Sequence, residues 1–325
     1  MRAVVTGASG HLGGVLVRAL LARGHDVCAL DLVDGPALEG LDVEFRRADV
    51  TDPESFGGAF DGADVVYHLA AKISVAGDPD GSVWRVNTDG PKVVALATLA
   101  AGVPRLVHTS SVHAYDLELV SGTLTEEGPR TTDPARPVYD RSKYAGEQAV
   151  RSVIDLGLDA VIVNPTGVIG PFDFAPSRMG QVFLGMLQRT VPFSIPGGFD
   201  WVDVRDVADG MIAAAAEGTT GQNYLLSGTH LDVRAVMELA ADTTGRPAPR
   251  AVLPMWMAKA WSPLGDRLAR RTGSAWALTS ESIHALEFDP PVSGAKASAE
   301  LGYLARPIET TIRDIYGWFD EAGRS

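Results

Sequence analysis

The chain of 325 residues has a single cysteine, Cys28, so an internal disulfide cannot stabilise it. Cys28 lies in an apolar run, and a small buried side chain is its simplest interpretation. No stretch approaches the ~18 consecutive apolar residues of a membrane span, and we expect none. Met1 leads into a strand-like segment without the basic and apolar regions of a cleavable signal, so we expect a cytoplasmic protein.

Positive charge is also scarce, since 28 Lys and Arg residues face 41 Asp and Glu residues and the net charge is −13. That sign argues against nucleic acid or an anionic membrane as a general partner, although it leaves a local basic site open. The 46% hydrophobic and 21% charged content is that of an ordinary globular protein. We find no cluster with metal-ligand spacing and expect no metal.

Short apolar runs alternate with helical patterns in the first half of the chain. The predicted strands are residues 2–6, 26–31, 43–45, 65–69, 105–109 and 159–164, and the predicted helices are residues 12–21, 53–60, 83–101 and 138–154. This alternation predicts an α/β fold with a doubly wound parallel sheet and right-handed crossovers.

The alternation breaks after Pro165. Residues 165–200 are rich in Gly, Pro and Phe, which predicts loops built over a site. Further on, the patterns predict helices at 204–216 and 232–243 and a strand at 223–227 that could return to the sheet.

Tryptophan and methionine recur between residues 250 and 290, as Met255-Trp256-Met257, Trp261 and Trp276. We favour a packed helical cap here over a membrane-surface helix. The expected organisation is a cofactor-binding domain over residues 1–170, to which 200–230 returns, and a smaller α/β region for substrate binding and the cap over 171–325.

A glycine run follows the first predicted strand, with Gly7, Gly10 and Gly13 in the spacing G-x-x-G-x-x-G. Glycine lets the backbone turn tightly and approach a pyrophosphate, whose charge the N-terminus of the next helix stabilises. A glycine run by itself is more often a plain turn, but this position inside a βαβ unit favours a phosphate loop.

Acidic residues close the next two strands. Asp31, 18 residues after Gly13, can accept both ribose hydroxyls of adenosine and would repel a 2′-phosphate, which favours NAD over NADP. The alternative is an ordinary loop aspartate. Asp49 and Val50 could contact adenine through a carboxylate and a backbone amide.

Small and hydroxylated residues close two further strands, as His68-Leu69-Ala70-Ala71 and Thr109-Ser110-Ser111. Small residues would let the backbone approach a cofactor, and hydroxyls at this edge of a parallel sheet face the ligand crevice. Ser111 could therefore donate a hydrogen bond to a carbonyl oxygen. A hydrolase would need a histidine partner, and although His108 and His113 are near, no G-x-S-x-G turn exists.

Tyr139 and Lys143 stand four residues apart in a predicted helix, which places the phenol and the ammonium on one face. A nearby ammonium and an oxidised nicotinamide would favour the phenolate and lower the pKa of Tyr139. Tyr139 could then exchange a proton with a substrate oxygen while a cofactor carries the hydride. A surface contact between the two side chains is the alternative.

In this order, the motifs resemble those of an extended short-chain dehydrogenase/reductase, with a Rossmann-type fold. The segments 164–171 and 202–208 resemble the dihydroflavonol-reductase-like and 3β-hydroxysteroid dehydrogenase-like branch of the NAD-dependent epimerase/dehydratase superfamily. The resemblance implies a catalytic set of Ser111, Tyr139 and Lys143. It also implies that Asn87 supports the active-site end of its helix and that long helices pack in a homodimer.

The resemblance extends to the binding residues. The expected cofactor contacts are Gly7, Gly10, His11, Leu12, Gly13, Asp31, Asp49, Val50, Leu69, Ala70, Ala71, Thr109, Tyr139, Lys143, Pro165 and Val168, the last through backbone near the nicotinamide carboxamide. The substrate candidates are Lys72, Ser111, His113, Arg178, Phe199 and Trp201.

One departure from the family concerns the substrate. Sugar-nucleotide epimerases and dehydratases usually carry Arg-Asp-Tyr or Arg-Asp-Phe where this chain has Phe199-Asp200-Trp201. Without that arginine a diphosphate would bind poorly unless another cation such as Arg178 compensates. We expect two aromatic side chains to face the pocket and an apolar carbonyl or alcohol to be the substrate.

Two other functions stay open at this point. A nucleotide-sugar epimerase or dehydratase would use the same three catalytic residues and recycle a tightly bound NAD. A regulator that senses the dinucleotide without catalysis would usually lack the tyrosine and lysine pair, which this chain has.

Overall fold

The computed structural model of the chain describes residues 1–74, 77–249, 251–272 and 279–324, with the side chains of 268–272 left out. Trp276, expected in the cap, lies outside these residues. The strands are β1 Arg2–Thr6, β2 Asp26–Asp31, β3 Glu44–Arg47, β4 Val65–His68, β5 Leu106–Thr109, β6 Ala160–Pro165, β7 Gly167–Ile169, β8 Phe193–Ser194, β9 Gly198–Asp203, β10 Asn223–Leu226, β11 Thr229–Asp232 and β12 Ala251–Val252. The helices are α1 His11–Ala22, α2 Ser82–Ala100, α3 Val138–Ile154, α4 Arg178–Leu187, α5 Val204–Glu217, α6 Val233–Thr244, α7 Met255–Thr272, α8 Ser280–Glu287, α9 Ala295–Leu301 and α10 Ile308–Glu321.

Seven parallel strands form the main sheet, in the order β10-β6-β5-β4-β1-β2-β3. The order reverses between β1 and β4, which makes the carboxyl end of these two strands the place where a crevice opens in such a sheet. The fold class predicted from the sequence is confirmed. The strand β10 joins β6 at the sheet edge, so the chain does return to the main sheet after residue 200.

Helices cover both faces of the main sheet. One apolar cluster packs α1, α5 and α9 against one face, and a second packs α2 and α3 against the other. Burying a leucine such as Leu16, Leu20 or Leu106 on these faces contributes roughly 1.5–3 kcal/mol each. The main sheet is therefore held on both faces, and its carboxyl edge is left for function.

A small sheet, in the order β11-β9-β7, lies beside α4, α6 and α10. The prediction of loops over 165–200 is wrong, because this stretch contains β7, α4, β8 and the first half of β9. Its strands are short and its apolar residues are spread over three elements, so no long periodic pattern marks them.

Two further element bounds differ from the predictions. The helix predicted over 53–60 is a 3-10 turn over Pro53–Phe56, because Gly57 and Gly58 adopt φ values of 51° and 75° that end it. The third strand begins one residue later than predicted and continues to Arg47. Among the residues described here, no helix combines the length and the apolar character needed to cross a membrane.

Candidate active site

The glycine run forms the tight turn between β1 and α1. Gly7 has φ +71°, and a Cβ on it would lie 2.7 Å from the backbone nitrogen of Ala70. A Cβ on Gly13 would lie 2.1 Å from the carbonyl oxygen of Gly7. Only glycine fits these two positions, because the turn packs against itself and against the end of β4.

The first turn of α1 is open to a ligand. Gly10 caps the helix and no side chain accepts a hydrogen bond from its first backbone N–H groups. Such a helix end attracts a phosphate through free N–H groups and the helix dipole. His11 donates through Nε2 to the carbonyl oxygen of Pro171, 2.9 Å away, and Leu12 packs on the core, so both would serve a phosphate through their backbone.

The carboxylate of Asp31 lies against this turn. Its Oδ2 accepts a hydrogen bond from the Ser9 backbone nitrogen at 2.9 Å and its Oδ1 accepts one from Leu32 at 2.7 Å. Each carboxylate oxygen keeps a further lone pair for a ribose hydroxyl. The glycine turn, the N-terminus of α1 without a side-chain cap, and the Asp31 carboxylate together fit a dinucleotide.

Asp49 and Val50 follow β3. The backbone amide and hydroxyl of Thr51 hydrogen-bond to Asp49 and hold the pKa of its carboxyl below the usual range. Val50 is buried against Gly90 of α2. The hydrogen bonds from Thr51 therefore fix the orientation of the Asp49 carboxylate just after β3.

Asn87 joins three segments near the end of β4. Its Oδ1 accepts from the Lys72 backbone nitrogen at 2.8 Å, and its Nδ2 donates to the Lys72 carbonyl at 3.0 Å and to the Ser142 hydroxyl at 2.9 Å. The backbone after Ala71 is thereby fixed to the helix that carries Tyr139. The Lys72 ammonium instead bonds to Ser82 and lies 3.7 Å from Asp80, an exposed arrangement that does not support its predicted substrate contact.

Ser111, Tyr139 and Lys143 come together at the carboxyl edge of β5. The Ser111 hydroxyl hydrogen-bonds to the Tyr139 phenol. The Lys143 ammonium is buried and donates to the Thr109 carbonyl at 3.0 Å. The four-residue spacing in α3 thus places both side chains next to the end of one strand.

Burial shifts the pKa of both α3 side chains. It raises the pKa of Tyr139 to about 12, where Asp140 adds to the effect and the Ser111 hydrogen bond opposes it. Burial also lowers the pKa of Lys143 to about 8, against the opposing charge of Glu147. The expected lowering of the Tyr139 pKa does not arise from the groups of the chain, because desolvation outweighs them.

Behind Lys143 lies a buried carboxylate that the sequence reasoning missed. Glu147 has its Oε1 2.7 Å from the Asn164 amide nitrogen and its Oε2 3.2 Å from Arg130. It stands one helical turn after Lys143, and this spacing of opposite charges was the available signal.

His113 lies beside the phenol. Its ring packs edge to face on the Tyr139 ring, with 5.7 Å between the ring centroids, and its Nδ1 lies 3.2 Å from the Asp140 carboxylate. Burial disfavours the imidazolium, but the charge and hydrogen bond of Asp140 outweigh this and raise the pKa of His113. His108, by contrast, is buried and stacks on His68 with 5.3 Å between the ring centroids. Burial lowers the pKa of His108 well below the usual range.

A cavity of about 780 Å³ opens between the start of α2, the start of α3 and α8. Val138 and Arg141, on either side of Tyr139 in sequence, line it, together with Trp84, Glu281 and His284. Tyr139 itself is not among its lining residues, so the cavity reaches the turn of α3 that carries Tyr139 but is not lined by the phenol.

Glu281 of α8 is a partly buried carboxylate at this cavity. Burial raises its pKa to about 7, with Asp140 adding and the Gly77 amide and Arg178 opposing. Arg178, the first residue of α4, is near enough to Glu281 for their charges to interact, and burial lowers the pKa of Arg178 itself. Its predicted substrate role stays a prediction.

A pH-dependent stability follows from Glu281. Because the folded state holds the neutral acid, rising pH should weaken the fold through the window from the ordinary glutamate pKa of about 4.5 to about 7, and the loss is complete above it. Glu281→Gln removes this loss. We expect its Tm gain over the wild-type chain to be larger at pH 8 than at pH 5.

The matched control is Glu321→Gln, at an exposed glutamate. It should shift Tm equally at both pH values. An equal Tm difference at pH 5 and pH 8 for Glu281→Gln would contradict the assignment of a raised pKa to Glu281.

Phe199 and Trp201 lie on β9 and pack together at 5.2 Å between ring centroids. Trp201 is buried among side chains of α6 and α10, and its Nε1 donates to the Leu231 carbonyl. Phe199 and Trp201 are two residues apart and share the face of β9 that packs on the small-sheet core, so the prediction that both aromatic side chains face the pocket is wrong for the buried Trp201. Phe199 is partly buried at the edge of the same cluster.

The remaining predicted contacts lie at strand ends of the same edge. Pro165 ends β6, and Val168 of β7 pairs with Val202 of β9. Leu69 and Ala70 follow β4, where the Thr6 hydroxyl lies within 3.2 and 3.3 Å of their backbone nitrogens. Within the described ranges, no group of three His, Cys, Asp or Glu side chains could hold a metal ion.

Comparison with known proteins places this geometry in a family. The chain is 34% identical to "Sterol demethylase protein B" of Methylococcus capsulatus, over 99% of each chain. It is 28% identical to the "Putative dihydroflavonol 4-reductase" of a Synechocystis strain, over 98% of this chain and 94% of that one. The crystal structure of gox2253 superposes with a TM-score of 0.84 at 30% identity, covering 99% of this chain and 98% of that chain.

The family model for the NAD dependent epimerase/dehydratase family matches residues 3–227. This range runs from β1 through β10 and includes the glycine turn, Asp31 and the Ser111, Tyr139 and Lys143 cluster. The match confirms the resemblance seen in the sequence. The chain belongs to the NAD dependent epimerase/dehydratase family.

Proposed function

We propose that this protein interconverts a secondary alcohol and a ketone or aldehyde on an apolar small molecule, with NAD as cofactor and Tyr139 as the acid and base. Its family and relatives make it an NAD(P)-dependent oxidoreductase of the extended short-chain dehydrogenase/reductase type. The observation that carries the proposal is the phenol of Tyr139 hydrogen-bonded to Ser111 one helical turn from a buried ammonium.

In the reductive direction, the Ser111 hydroxyl holds the carbonyl oxygen of the substrate and the Tyr139 phenol donates its proton to that oxygen. A bound nicotinamide dinucleotide supplies the hydride that reaches the carbonyl carbon. Lys143 stabilises the phenolate left behind, and its Thr109 bond fixes the ammonium in place. A phenol with a pKa of about 12 stays protonated near neutrality, so the resting site suits proton donation.

In the oxidative direction, the Tyr139 phenolate accepts the alcohol proton, and the oxidised nicotinamide cofactor, when bound, would take up the carbinol hydrogen as hydride. The cofactor contacts of the proposal are those predicted from the sequence. They use the glycine turn for the pyrophosphate, Asp31 for the adenosine ribose, and the Lys143 side chain for the nicotinamide ribose.

Two observations support an apolar substrate. Phe199 occupies the position where sugar-nucleotide enzymes carry arginine, and it packs in an apolar cluster. A relative across the whole chain has a name that refers to a sterol. Of the predicted substrate residues, the proposal keeps Ser111, His113, Arg178 and Phe199.

The test is a panel of ketones, aldehydes and alcohols with NADH, NADPH and their oxidised forms, followed by absorbance. We expect steady consumption of NADH with at least one apolar carbonyl. Turnover of a uridine or deoxythymidine diphosphate sugar without net consumption of cofactor would contradict the proposal and favour an epimerase or dehydratase.

Cofactor preference is the next prediction. The Asp31 carboxylate would repel a 2′-phosphate, so kcat/KM should be higher with NADH than with NADPH. Asp31→Asn removes the charge and should narrow this ratio by about tenfold or more. Asp34→Asn, at an exposed aspartate three residues on, is the control and should leave the ratio unchanged. A wild-type preference for NADPH would contradict the prediction.

The proposal includes a homodimer and two functional regions. The long helices α2 and α3 pack against each other and are the faces through which the family resemblance implies a dimer. Residues 1–170 with 200–230 would bind the cofactor and 171–325 would form mainly the substrate side. Light scattering of the purified chain, which should give twice the 34.3 kDa mass of one chain, tests the dimer.

A further inference from the structure

The helix α7 has two faces of different character. Ala258, Ser262 and Asp266 are spaced by four residues and form its inner face, with Ala258 and Ser262 buried. Trp256, Ala260 and Leu264 are also spaced by four and lie on the other side of the helix. We call these three residues with Trp261 the outer face of α7.

The inner face holds the helix in place. The Ser280 hydroxyl of α8 lies 3.0 Å from the Ser262 hydroxyl and 2.8 Å from the Asp266 carboxylate. Ala258 packs in a cluster with Ile195 and Ile283. The exposed side chains therefore belong to a docked helix whose orientation is set by its inner face.

The outer face is apolar and open. The side chains of Trp256, Trp261 and Leu264 are 70%, 64% and 67% exposed. Two tryptophans and a leucine on one helix face leave more apolar area in water than scattered surface residues do, and such patches mark interaction sites. Tryptophan in particular favours the boundary between lipid headgroups and acyl chains.

The charge of α7 indicates which kind of partner its outer face would bind. The α7 sequence carries Lys259, Arg267, Arg270 and Arg271 against Asp266, and Lys259 pairs with Glu287 of α8 at 2.6 Å, so the excess positive charge lies at the C-terminal end of the helix, whereas the whole chain has a net charge of −13. An anionic surface would repel the protein as a whole and attract this helix. A second copy on the same face would bring two positive helices together, which disfavours a symmetric contact.

We propose that the outer face of α7 docks on an anionic lipid surface, with the helix lying in the headgroup plane. Amphipathic helices of this kind bind through apolar burial together with attraction to acidic headgroups. The docking is peripheral, since α7 with its basic residues does not qualify as a membrane-crossing helix.

Docking through α7 would bring the cavity close to the lipid surface. Its inner face bonds to Ser280, and Ser280, Glu281 and His284 of α8 line the cavity beside Tyr139. An apolar compound dissolved in a bilayer would therefore meet the cavity one helix away from the lipid. The docking itself does not depend on the proposed reaction, and its test uses no substrate.

The experiment is sedimentation of the full chain with phosphatidylcholine vesicles, with and without phosphatidylglycerol. We expect binding to the vesicles with phosphatidylglycerol only, and release at high salt. Trp256→Gln with Leu264→Gln should weaken the partition by about tenfold or more, and Arg267→Glu should weaken it to phosphatidylglycerol vesicles.

The matched control is Leu156→Gln with Leu304→Gln, a pair of exposed leucines outside α7. It should bind vesicles as the wild-type chain does, and circular dichroism melting should be the same for all variants. Absence of binding to phosphatidylglycerol vesicles, or equal binding of both double variants, would overturn the proposal. So would a wild-type oligomer that dissociates in the α7 variant, because a second copy would then cover the face.

Discussion

Tyr139→Phe should lower kcat for the best carbonyl substrate by about 10²–10⁴-fold, the range that a positioned acid contributes. The substitution removes the phenol oxygen that hydrogen-bonds to Ser111 and leaves the ring against His113. Cofactor affinity, measured by the fluorescence of bound NADH, should change little because the glycine turn and Asp31 are untouched. Stopped-flow or steady-state absorbance at saturating substrate measures the loss.

Tyr144→Phe is the matched control on the same helix. Tyr144 is partly buried and packs on the apolar cluster around Tyr115. It should keep kcat within a few-fold of the wild-type value. If Tyr139→Phe retained full activity while binding NADH normally, the proton-transfer role of Tyr139 would be refuted.

Glu147→Gln should lower the free energy of unfolding by about 3–5 kcal/mol, the usual cost of breaking a buried ion pair. The substitution leaves Arg130 and the buried Lys143 without their negative neighbour. It also keeps the acceptor oxygen for Asn164, so the loss reports mainly the charge. Urea unfolding followed by circular dichroism measures it.

The same variant should change the pH profile. The charge of Glu147 raises the pKa of Lys143, which burial lowers to about 8, so its removal should move the alkaline limb of kcat to lower pH. Glu217→Gln, at the exposed end of α5, should shift the unfolding free energy by less than about 0.5 kcal/mol. Equal stability losses in the two variants would contradict the buried-pair account.

The sequence was sufficient for the fold class and for the positions of the candidate catalytic groups. A glycine turn after the first strand and a tyrosine four residues before a lysine are patterns of residues close in sequence. Such patterns can be recognised without knowledge of the tertiary contacts. The predicted helix over 138–154 agrees with α3 at both ends, because Pro137 is tolerated only at the start of a helix and Gly157 follows its last turn.

What the sequence did not indicate depends on long-range packing. Glu281 acquires its raised pKa only because α8 brings it near Asp140, which is 141 residues earlier in the chain. Trp201 resembles a pocket residue in sequence, but β11 and α10 bury it. The alternation of a short strand does not reveal which face is the core when several elements must assemble to form it.

The three hydrogen bonds of Asn87 have a consequence for how substrate preference can evolve. They tie the backbone at Lys72 to α3, so the cofactor side and the Tyr139 side form one stiff frame. The opposite wall of the cavity belongs to α8. None of the three Asn87 hydrogen bonds involves a residue of α8. Under the proposed mechanism, mutations in α8 can thus reshape this wall while the Asn87 bonds keep Tyr139 and the cofactor side in place, and new substrates become accessible without a change in the chemistry.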